Sequence, residues 1–345
     1  MHNSSCDARP IKGHLAHFVF SKLIAIRLAT QFTTLAITPT IIAQGALKPF
    51  TFGTLMTTSH HIALLCILAL TLSLQACTTS MTTMTDARAY EPKEVQVAGN
   101  MQGNLHTNVI GKAVQGVKAA DEQFNSDQPI SEEAYRDWLD LALAAALFKP
   151  GGAPELMARV GVTDKVLEGI DVGFRTNFNL YKGDLKLQIW ENEAQNQAFS
   201  VMAGYTYHSS IVSSAISYLT LTDFGRMDFD LQAIWGIEIQ DIFKLNLAPH
   251  MILSRVSAEQ KLPADVYNRL PESIKQYDPN QLFQNEWLGY YGLNTNLMLG
   301  YKYVFVVIDT GFFWMNFKPE ILGEKRDFSG AAISLAGGLS FHYPF

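Results

Sequence analysis

One short stretch of the sequence combines residue types that could carry out covalent chemistry. His208-Ser209-Ser210 places a histidine two positions before a serine, and Asp223 follows further along the chain. A histidine near a serine can act as the base that activates the hydroxyl as an acyl nucleophile. The preceding residues alternate as in a strand, which puts His208 on the polar side, opposite Tyr207. We therefore predict that the protein is not an enzyme and keep hydrolysis by His208 and Ser210 as the alternative.

A second group of polar residues alternates with apolar residues along a series of predicted strands. Its charged members are Arg159, Asp171, Arg175, Lys186, Asp228, Asp230, Lys244 and Asp309. The interior of a small barrel is mostly filled by side chains. Balanced opposite charges there favour a satisfied polar core over a conduction path. A narrow channel for small or hydrophobic solutes is a further alternative.

The segments that carry these charges alternate with the period of two that is typical of strands. Eight segments show it clearly: Ile170 to Leu180, Leu185 to Trp190, Phe199 to His208, Met227 to Ile237, Phe243 to Leu253, Tyr291 to Tyr301, Val304 to Trp314, and Phe328 to Phe345. None of the four charged residue types lies on the apolar side of any of them. A cation in mid-bilayer costs about 2–4 kcal/mol on a lipid-facing side, so this avoidance indicates contact with lipid.

A further hairpin would raise the strand count. Leu139 to Leu147 alternates, although its alanine content also fits a helix, and Leu156 to Val162 alternates after the turn Lys149 to Ala153. An even number of strands is needed for antiparallel closure. The sequence thus predicts an all-β fold, a closed antiparallel transmembrane β-barrel of eight to ten strands. Ten strands are favoured, preceded by an N-terminal extension that is irregular or helical.

The end of the chain resembles a known class of membrane protein. The last strand ends in Phe345, with Leu339, Phe341 and Tyr343 at alternate positions before it. This resembles the outer-membrane β-barrel proteins of Gram-negative bacteria, and it implies outer-membrane lipid and the barrel-assembly machinery as partners. Within that class, His208-Ser209-Ser210 resembles the His-x-Ser of outer-membrane phospholipase A and lipid A deacylase. This resemblance makes a lipid hydrolase the enzymatic alternative.

The N-terminal region resembles the leader of a bacterial lipoprotein. Ile62 to Leu74 is an apolar run of signal-peptide length, too short to span a bilayer comfortably. Leu74-Gln75-Ala76-Cys77 resembles a lipobox, which implies lipidation of Cys77. Removal of residues 1–76 takes away five basic residues and one acidic residue, leaving 21 basic against 31 acidic residues, or a net charge of −10. Such a charge argues against nucleic-acid binding.

These features give a division of the chain. Residues 1–55 are an upstream extension, 56–76 a signal peptide, 77–138 a periplasmic tether with short helices, and 139–345 the barrel. Short connections at 191–196, 238–241 and 302–303 are predicted to be periplasmic, and long ones at 209–226 and 255–286 extracellular. The chain has three cysteines, none in its last two-thirds, and we expect neither a metal nor a cofactor. The sequence indicates no ligand for the outer loops.

Overall fold

The computed structural model describes residues 79–112, 131–147, 152–163, 169–177, 179–208, 221–240, 242–260, 264–277 and 281–344. The upstream extension, the signal peptide and Cys77 lie outside the described residues. The described chain forms a closed antiparallel β-barrel of ten strands, so the predicted fold class is confirmed. No helix in this part of the chain is long and apolar enough to cross a membrane.

The barrel wall follows the order of the sequence, and one pairing closes it. Its strands are β1 (Glu94–His106), β2 (Gly152–Thr163), β3 (Gly169–Thr176), β4 (Leu180–Asn192), β5 (Gln197–His208), β6 (Leu221–Ile239), β7 (Phe243–Gln260), β8 (Gln281–Tyr301), β9 (Val304–Phe317) and β12 (Gly330–Pro344). The closing pair is β1 with β12, in antiparallel register from Glu94 opposite Pro344 to His106 opposite Ala332. A small hairpin of β10 (Glu320–Ile321) and β11 (Glu324–Lys325) stands apart from the wall.

Strand β1 corrects the predicted division of the chain. Residues 94–106 were assigned to a periplasmic tether, but they pair with both β2 and β12. The outward positions of β1 include Gly99, between Val97 and Met101, and Gly103, between Met101 and Leu105, so its apolar stripe is thin. The side chains of β1 therefore give only a weak strand signal in the sequence. Backbone pairing with β2 and β12 on its two edges holds the strand in the wall.

Helix α1 (Glu132–Leu147) corrects a second prediction. Residues 139–147 were read as a strand, and they continue the helix that begins after Ser131, whose hydroxyl accepts a hydrogen bond from Ala134 at 3.2 Å. Tyr135, Leu139 and Leu143 recur at four-residue spacing and are buried, as a helix requires. Leu139 and Leu143 fit both the alternation of a strand and the spacing of a helix. The high helix propensity of the alanines in this stretch favours the helix.

The two ends of the barrel differ, and we name them by their connections. At the turn end, strands are joined by the short connections 193–196, 240–242 and 302–303. At the loop end lie α1 and the long connection 261–280, with the short helices α2 (Ala264–Asn268) and α3 (Glu272–Lys275). Since α1 and the long connection share one end, residues 132–138 cannot be periplasmic while that connection is extracellular. The predicted periplasmic side of residues 132–138 and the predicted extracellular side of the long connection therefore cannot both hold.

Candidate functional site in the barrel lumen

The lumen contains an extended stretch of chain that the sequence analysis had assigned to the tether. We call residues 79–90 the lumen segment. None of residues 79–87 is more than 6% exposed. The segment is polar, with five threonine or serine residues among its first seven, so it needs polar partners inside the barrel.

The lumen segment runs from the loop end to the turn end. The carbonyl of Thr79 accepts hydrogen bonds from Gln102 (2.9 Å) and Asn104 (3.0 Å), in the half of β1 nearest the loop end. At the other end of the segment, the main-chain nitrogen of Tyr90 donates to Asp171, close to the turn end of β3 (2.9 Å). A turn at 91–93 then leads into β1, which returns towards the loop end.

Asp309 on β9 binds the middle of this segment. Its Oδ2 atom accepts hydrogen bonds from the main-chain nitrogens of Thr83 (2.9 Å) and Met84 (3.3 Å). Asn296 of β8 donates to the same oxygen at 3.2 Å. Met84 has a φ of 52°, a left-handed conformation that residues other than glycine seldom adopt. The Asp309 carboxylate thus supplies acceptors for a bend that has no ladder partner.

Arg175 on β3 binds the carbonyl side of the same bend. Its guanidinium donates to the carbonyl oxygens of Thr82 (2.9 Å) and Thr83 (2.6 Å). Asp184 of β4 lies 3.7 Å from Arg175, and it also contacts Arg159. Arg175 thus binds the main-chain bend directly, and Asp184 links Arg175 to Arg159. The three charged wall residues form one connected set of charge-assisted contacts.

Nearer the turn end, the lumen segment contributes a charge of its own. The Asp86 carboxylate lies 2.8 Å from Lys244 of β7 and 3.7 Å from Lys186 of β4. Lys186 also pairs with Asp171 at 2.8 Å and donates to the carbonyl of Arg88 at 2.7 Å. Each of these buried charges therefore has a partner of opposite charge.

Two further contacts fix the segment where it leaves the lumen. Arg88 lies 2.9 Å from Glu191 and 3.3 Å from Glu238, both beside the short connections of the turn end. The main-chain nitrogen of Ala87 donates to Asn246 of β7 at 3.0 Å. A cavity beside Asp86 and Lys244 has a volume of about 10 Å³. That is close to the minimum needed for one water molecule.

Further charged residues of the lumen pair with one another. Lys182 of β4 lies 3.0 Å from Asp230 of β6, which also contacts His250 at 2.6 Å. Arg226 and His208 both contact Asp228, at 2.7 and 2.8 Å. These pairs occupy the side of the lumen formed by β4, β5, β6 and β7.

The structure places all eight charged residues of the predicted lumen set inside the barrel, with buried side chains. It adds buried charged residues that the sequence analysis did not include: Asp86, Glu155, Lys182, Asp184 and Arg226. All of these except Asp86 lie near the loop-end termini of β2, β4 and β6. At these termini the observed strands extend further towards the loop end than the predicted strands do. Asp86 belongs to the lumen segment, for which a strand pattern gives no signal.

The residues proposed for hydrolysis are not assembled as a triad among the described residues. The His208 side chain is buried in the lumen, with Nε2 2.8 Å from Oδ2 of Asp228. Asp223 lies on β6 opposite Glu259 of β7, and Ser209 and Ser210 lie outside the described residues. His208 therefore contacts a carboxylate that the sequence analysis had assigned to the polar core.

An apolar cap covers the loop end of the lumen. Tyr135, Trp138 and Leu143 of α1 belong to one buried cluster with Met81 of the lumen segment. The same cluster contains side chains from β7, β8, β9, β12 and the long connection: Ile252, Val256, Ala258, Leu270, Ile274, Leu282, Phe283, Leu288, Tyr290, Phe313, Met315, Phe317, Phe328 and Ala332. In the long connection, Pro271 lies between α2 and α3, and the side chains of Leu270 and Ile274 on either side of it are buried in the cap.

Ion pairs hold the rim of this cap together. Asp140 of α1 lies 2.9 Å from Lys112 and 2.8 Å from Arg326, and the hydrogen bond from Arg326 raises the pKa of that guanidinium. Glu132 accepts a hydrogen bond from Ser273 of α3 at 2.7 Å, which lowers the pKa of the Glu132 carboxyl. The helix is thereby fastened to the connection β7–β8 and to the connection β9–β12.

A surface depression of about 330 Å³ opens beside the cap. Its lining combines aromatic, aliphatic and acidic residues: Tyr277, Leu282, Phe283, Glu286, Glu320, Leu322 and Gly323. No group of three or more His, Cys, Asp or Glu side chains that could hold a metal occurs in the described residues.

Comparisons with known proteins find likeness in solved structures alone. No protein-family model matches the chain, and no curated protein matches it. Neisserial surface protein A aligns over 73% of this chain and 96% of its own, with 10% identity and a TM-score of 0.26. The outer membrane protease OmpT of Escherichia coli aligns over 73% and 97%, with 10% identity and a TM-score of 0.31. Ail, the attachment invasion locus protein of Yersinia pestis, aligns over 74% and 100%, with 8% identity and a TM-score of 0.26. Scores this low carry no inference about function.

Proposed function

We propose that the protein is an outer-membrane β-barrel with a sealed lumen, which serves as a structural or surface-interaction protein without enzymatic activity. The observation that carries this proposal is the lumen segment. It occupies the path that a solute would take, and it is bound to the wall near both of its ends and at its middle, through Thr79, Thr83 and Asp86.

The outward face of the wall supports a place in a membrane. Large apolar side chains point outwards and are exposed, among them Val97, Leu156, Phe174, Leu185, Phe229, Leu293, Phe312 and Leu335. Exposed aromatic residues also lie near both ends of the strands: Trp190, Tyr301 and Tyr343 at the turn end, and Tyr181, Tyr207, Trp287 and Trp314 at the loop end. An apolar band between two aromatic girdles matches the dimensions and chemistry of a bilayer. Outer-membrane lipid is therefore the first proposed partner.

The closing strand supports the barrel-assembly machinery as the second proposed partner. Leu335, Leu339, Phe341 and Tyr343 of β12 all point outwards and are exposed. They form a continuous apolar stripe on the last strand of the chain, the feature for which the sequence resembles assembled outer-membrane barrels.

The loop end supports a role in surface interaction. Its cap is fixed by a buried apolar cluster and by the ion pairs of Asp140, so it presents a preformed surface. The aromatic residue Tyr277 is exposed in the lining of the depression, which also contains Glu286. Exposed aromatic residues on a rigid support are the usual anchors of protein interfaces.

Cys77, two residues before the described chain, is the proposed lipid attachment site.

Two measurements test this proposal together. Membrane fractions are separated, and the protein is run on an SDS gel with and without boiling, since a closed barrel migrates faster when it is unboiled. The same folded protein is then recorded in planar lipid bilayers. We expect an outer-membrane fraction, a mobility shift on boiling and a flat current trace. Steady conductance from protein that shows the shift would contradict the sealed lumen, and a soluble protein without a shift would contradict the membrane barrel.

A further inference from the structure

We infer that residues 79–90 carry the chain through the membrane inside the barrel, so that the polypeptide preceding Thr79 emerges at the loop end. This inference goes beyond the proposed function, which requires a filled lumen but no particular direction of the chain. It assigns the point at which the chain enters the lumen, Thr79, to the same side of the membrane as the 261–280 connection.

The order of contacts along the lumen segment gives the direction. Thr79 contacts Gln102 and Asn104 near the loop end of β1, whereas Tyr90 contacts Asp171 near the turn end of β3. Asp86, between them in sequence, contacts Lys244, the second residue of β7 from the turn end. The segment therefore descends the lumen once, without folding back.

The length of the segment is sufficient for a complete crossing. Residues 79–90 are twelve residues, and an extended chain covers up to about 3.3–3.6 Å per residue, or roughly 40 Å in all. The apolar band of outer-membrane barrels is about 25 Å tall. A single extended pass can thus join the two ends of the wall and leave residues for the bend at Met84.

Among the described residues, buried side chains fill the lumen around the segment. The side chains that surround the segment are themselves buried, including Arg159, Arg175, Lys186 and Asp309. Arg88 with Glu191 and Glu238 occupies the exit at the turn end. The described chain therefore enters the lumen at Thr79, from the loop end. A lipid on Cys77 would then insert in the leaflet at the loop end, not the one at the turn end.

An accessibility experiment on intact cells tests this direction. One epitope tag is inserted between Thr78 and Thr79 of the full chain, a second after Tyr277 in the long connection, and a third between Lys302 and Tyr303 at the turn end. We expect an antibody to label the first two tags on intact cells and the third only after the outer membrane is permeabilised. Labelling of the first tag that requires permeabilisation, as for the third, would overturn the inference.

A smaller change guards against a tag that disturbs folding. The variant Thr78→Cys, combined with Cys6→Ser, Cys66→Ser and Cys77→Ser so that position 78 carries the only thiol, is probed with a membrane-impermeant maleimide, and it must retain the mobility shift on boiling. Modification on intact cells supports the crossing, and modification only after permeabilisation contradicts it. If the protein conducts ions, the proposed function is contradicted, but the labelling result can still be interpreted. The label reports the side of the membrane on which position 78 lies and not whether the lumen is sealed.

Discussion

The Oδ2 atom of Asp309 lies 2.9 Å from the main-chain nitrogen of Thr83, although 226 positions separate the two residues in the sequence. This contact joins the wall of the barrel to the chain inside it. It also provides the acceptor for a bend whose nitrogens have no strand partner. The filling of the lumen is therefore part of the folded structure, and its removal should be measurable as a loss of stability.

The variant Asp309→Ala tests that link. It leaves the buried nitrogens of Thr83 and Met84 without their acceptor, and each buried unsatisfied group costs about 1–3 kcal/mol. We expect a lower midpoint of urea unfolding, followed in detergent micelles by the mobility shift on gels. Asp327→Ala, which removes an exposed acid at the loop end, is the matched control and should leave the midpoint nearly unchanged. Equal midpoints for both variants would contradict the role of Asp309.

The Asp86–Lys244 pair predicts a measurable coupling between the lumen segment and the wall. Each partner keeps another opposite charge within 4 Å, Lys186 for Asp86 and Glu238 for Lys244. The loss of either residue should therefore cost less than the 3–5 kcal/mol that is typical of an isolated buried charge, about 1–3 kcal/mol. In a double-mutant cycle of Asp86→Asn and Lys244→Met, the double variant should be more stable than the sum of the single losses implies. Additive losses would show that the 2.8 Å contact does not couple the two residues.

The polar core could be predicted from sequence because a period of two is a strong constraint. Arg175 and Asp228 face inwards since their neighbours Phe174 and Phe229 face lipid, and a shift of one residue would reverse both. Strand ends carry no such signal, which is why Lys182 and Arg226 were assigned to connections. In α1, Leu139 and Leu143 fit both a strand and a helix, so local alternation alone could not decide between them.

The lumen segment could not be predicted for a different reason. Thr79 to Thr85 contains no apolar period and resembles a linker in composition. Its burial depends on partners such as Gln102 and Asp309, which lie far away in sequence and face the lumen only once the barrel has closed. The lumen segment is buried because of long-range hydrogen bonds and not because of the hydrophobic effect. Local secondary-structure propensity carries no information about such long-range contacts.

The exposed pair Lys318–Asp327 at the loop end predicts a pH dependence with a defined sign. The Lys318 ammonium and the main-chain nitrogen of Ser329 lower the pKa of Asp327 from 3.8 to about 2. A lowered pKa means that the contact contributes stability above pH 4 and loses it as the pH falls towards 2. Both side chains are more than half exposed, so the contribution should be at most a few tenths of a kcal/mol.

Carbon NMR of the Asp327 carboxyl measures this pKa directly. We expect titration near pH 2, and a return towards the ordinary value in the variant Lys318→Met. A titration of Asp327 that is the same with and without Lys318 would contradict the assigned cause.

The absence of catalysis is a prediction that rests on His208. This side chain faces the lumen and contacts Asp228, so it is not presented to lipid. The purified barrel should release no fatty acid from labelled phospholipid or lipid A. Release that disappears in Ser210→Ala, in a variant that keeps the mobility shift, would establish the hydrolase instead. Unchanged release in that variant would identify a contaminating enzyme.

Replacement of the lumen segment predicts a gain of function. In a variant whose residues 79–90 are replaced by a Gly-Ser repeat of equal length, the wall loses the contacts of Asp86, Thr82 and Thr83. Lys186, Lys244 and the wall carboxylates would then face water, which favours the entry of ions. In planar bilayers we expect channel openings that the unmodified protein does not show. The same repeat placed at 264–275 in the long connection removes Leu270 and Ile274 from the cap but leaves the hydrogen bonds and ion pairs of residues 79–90 in place, so it should leave the trace flat. A replaced segment that keeps both the mobility shift and a flat trace would mean that the wall side chains alone seal the barrel.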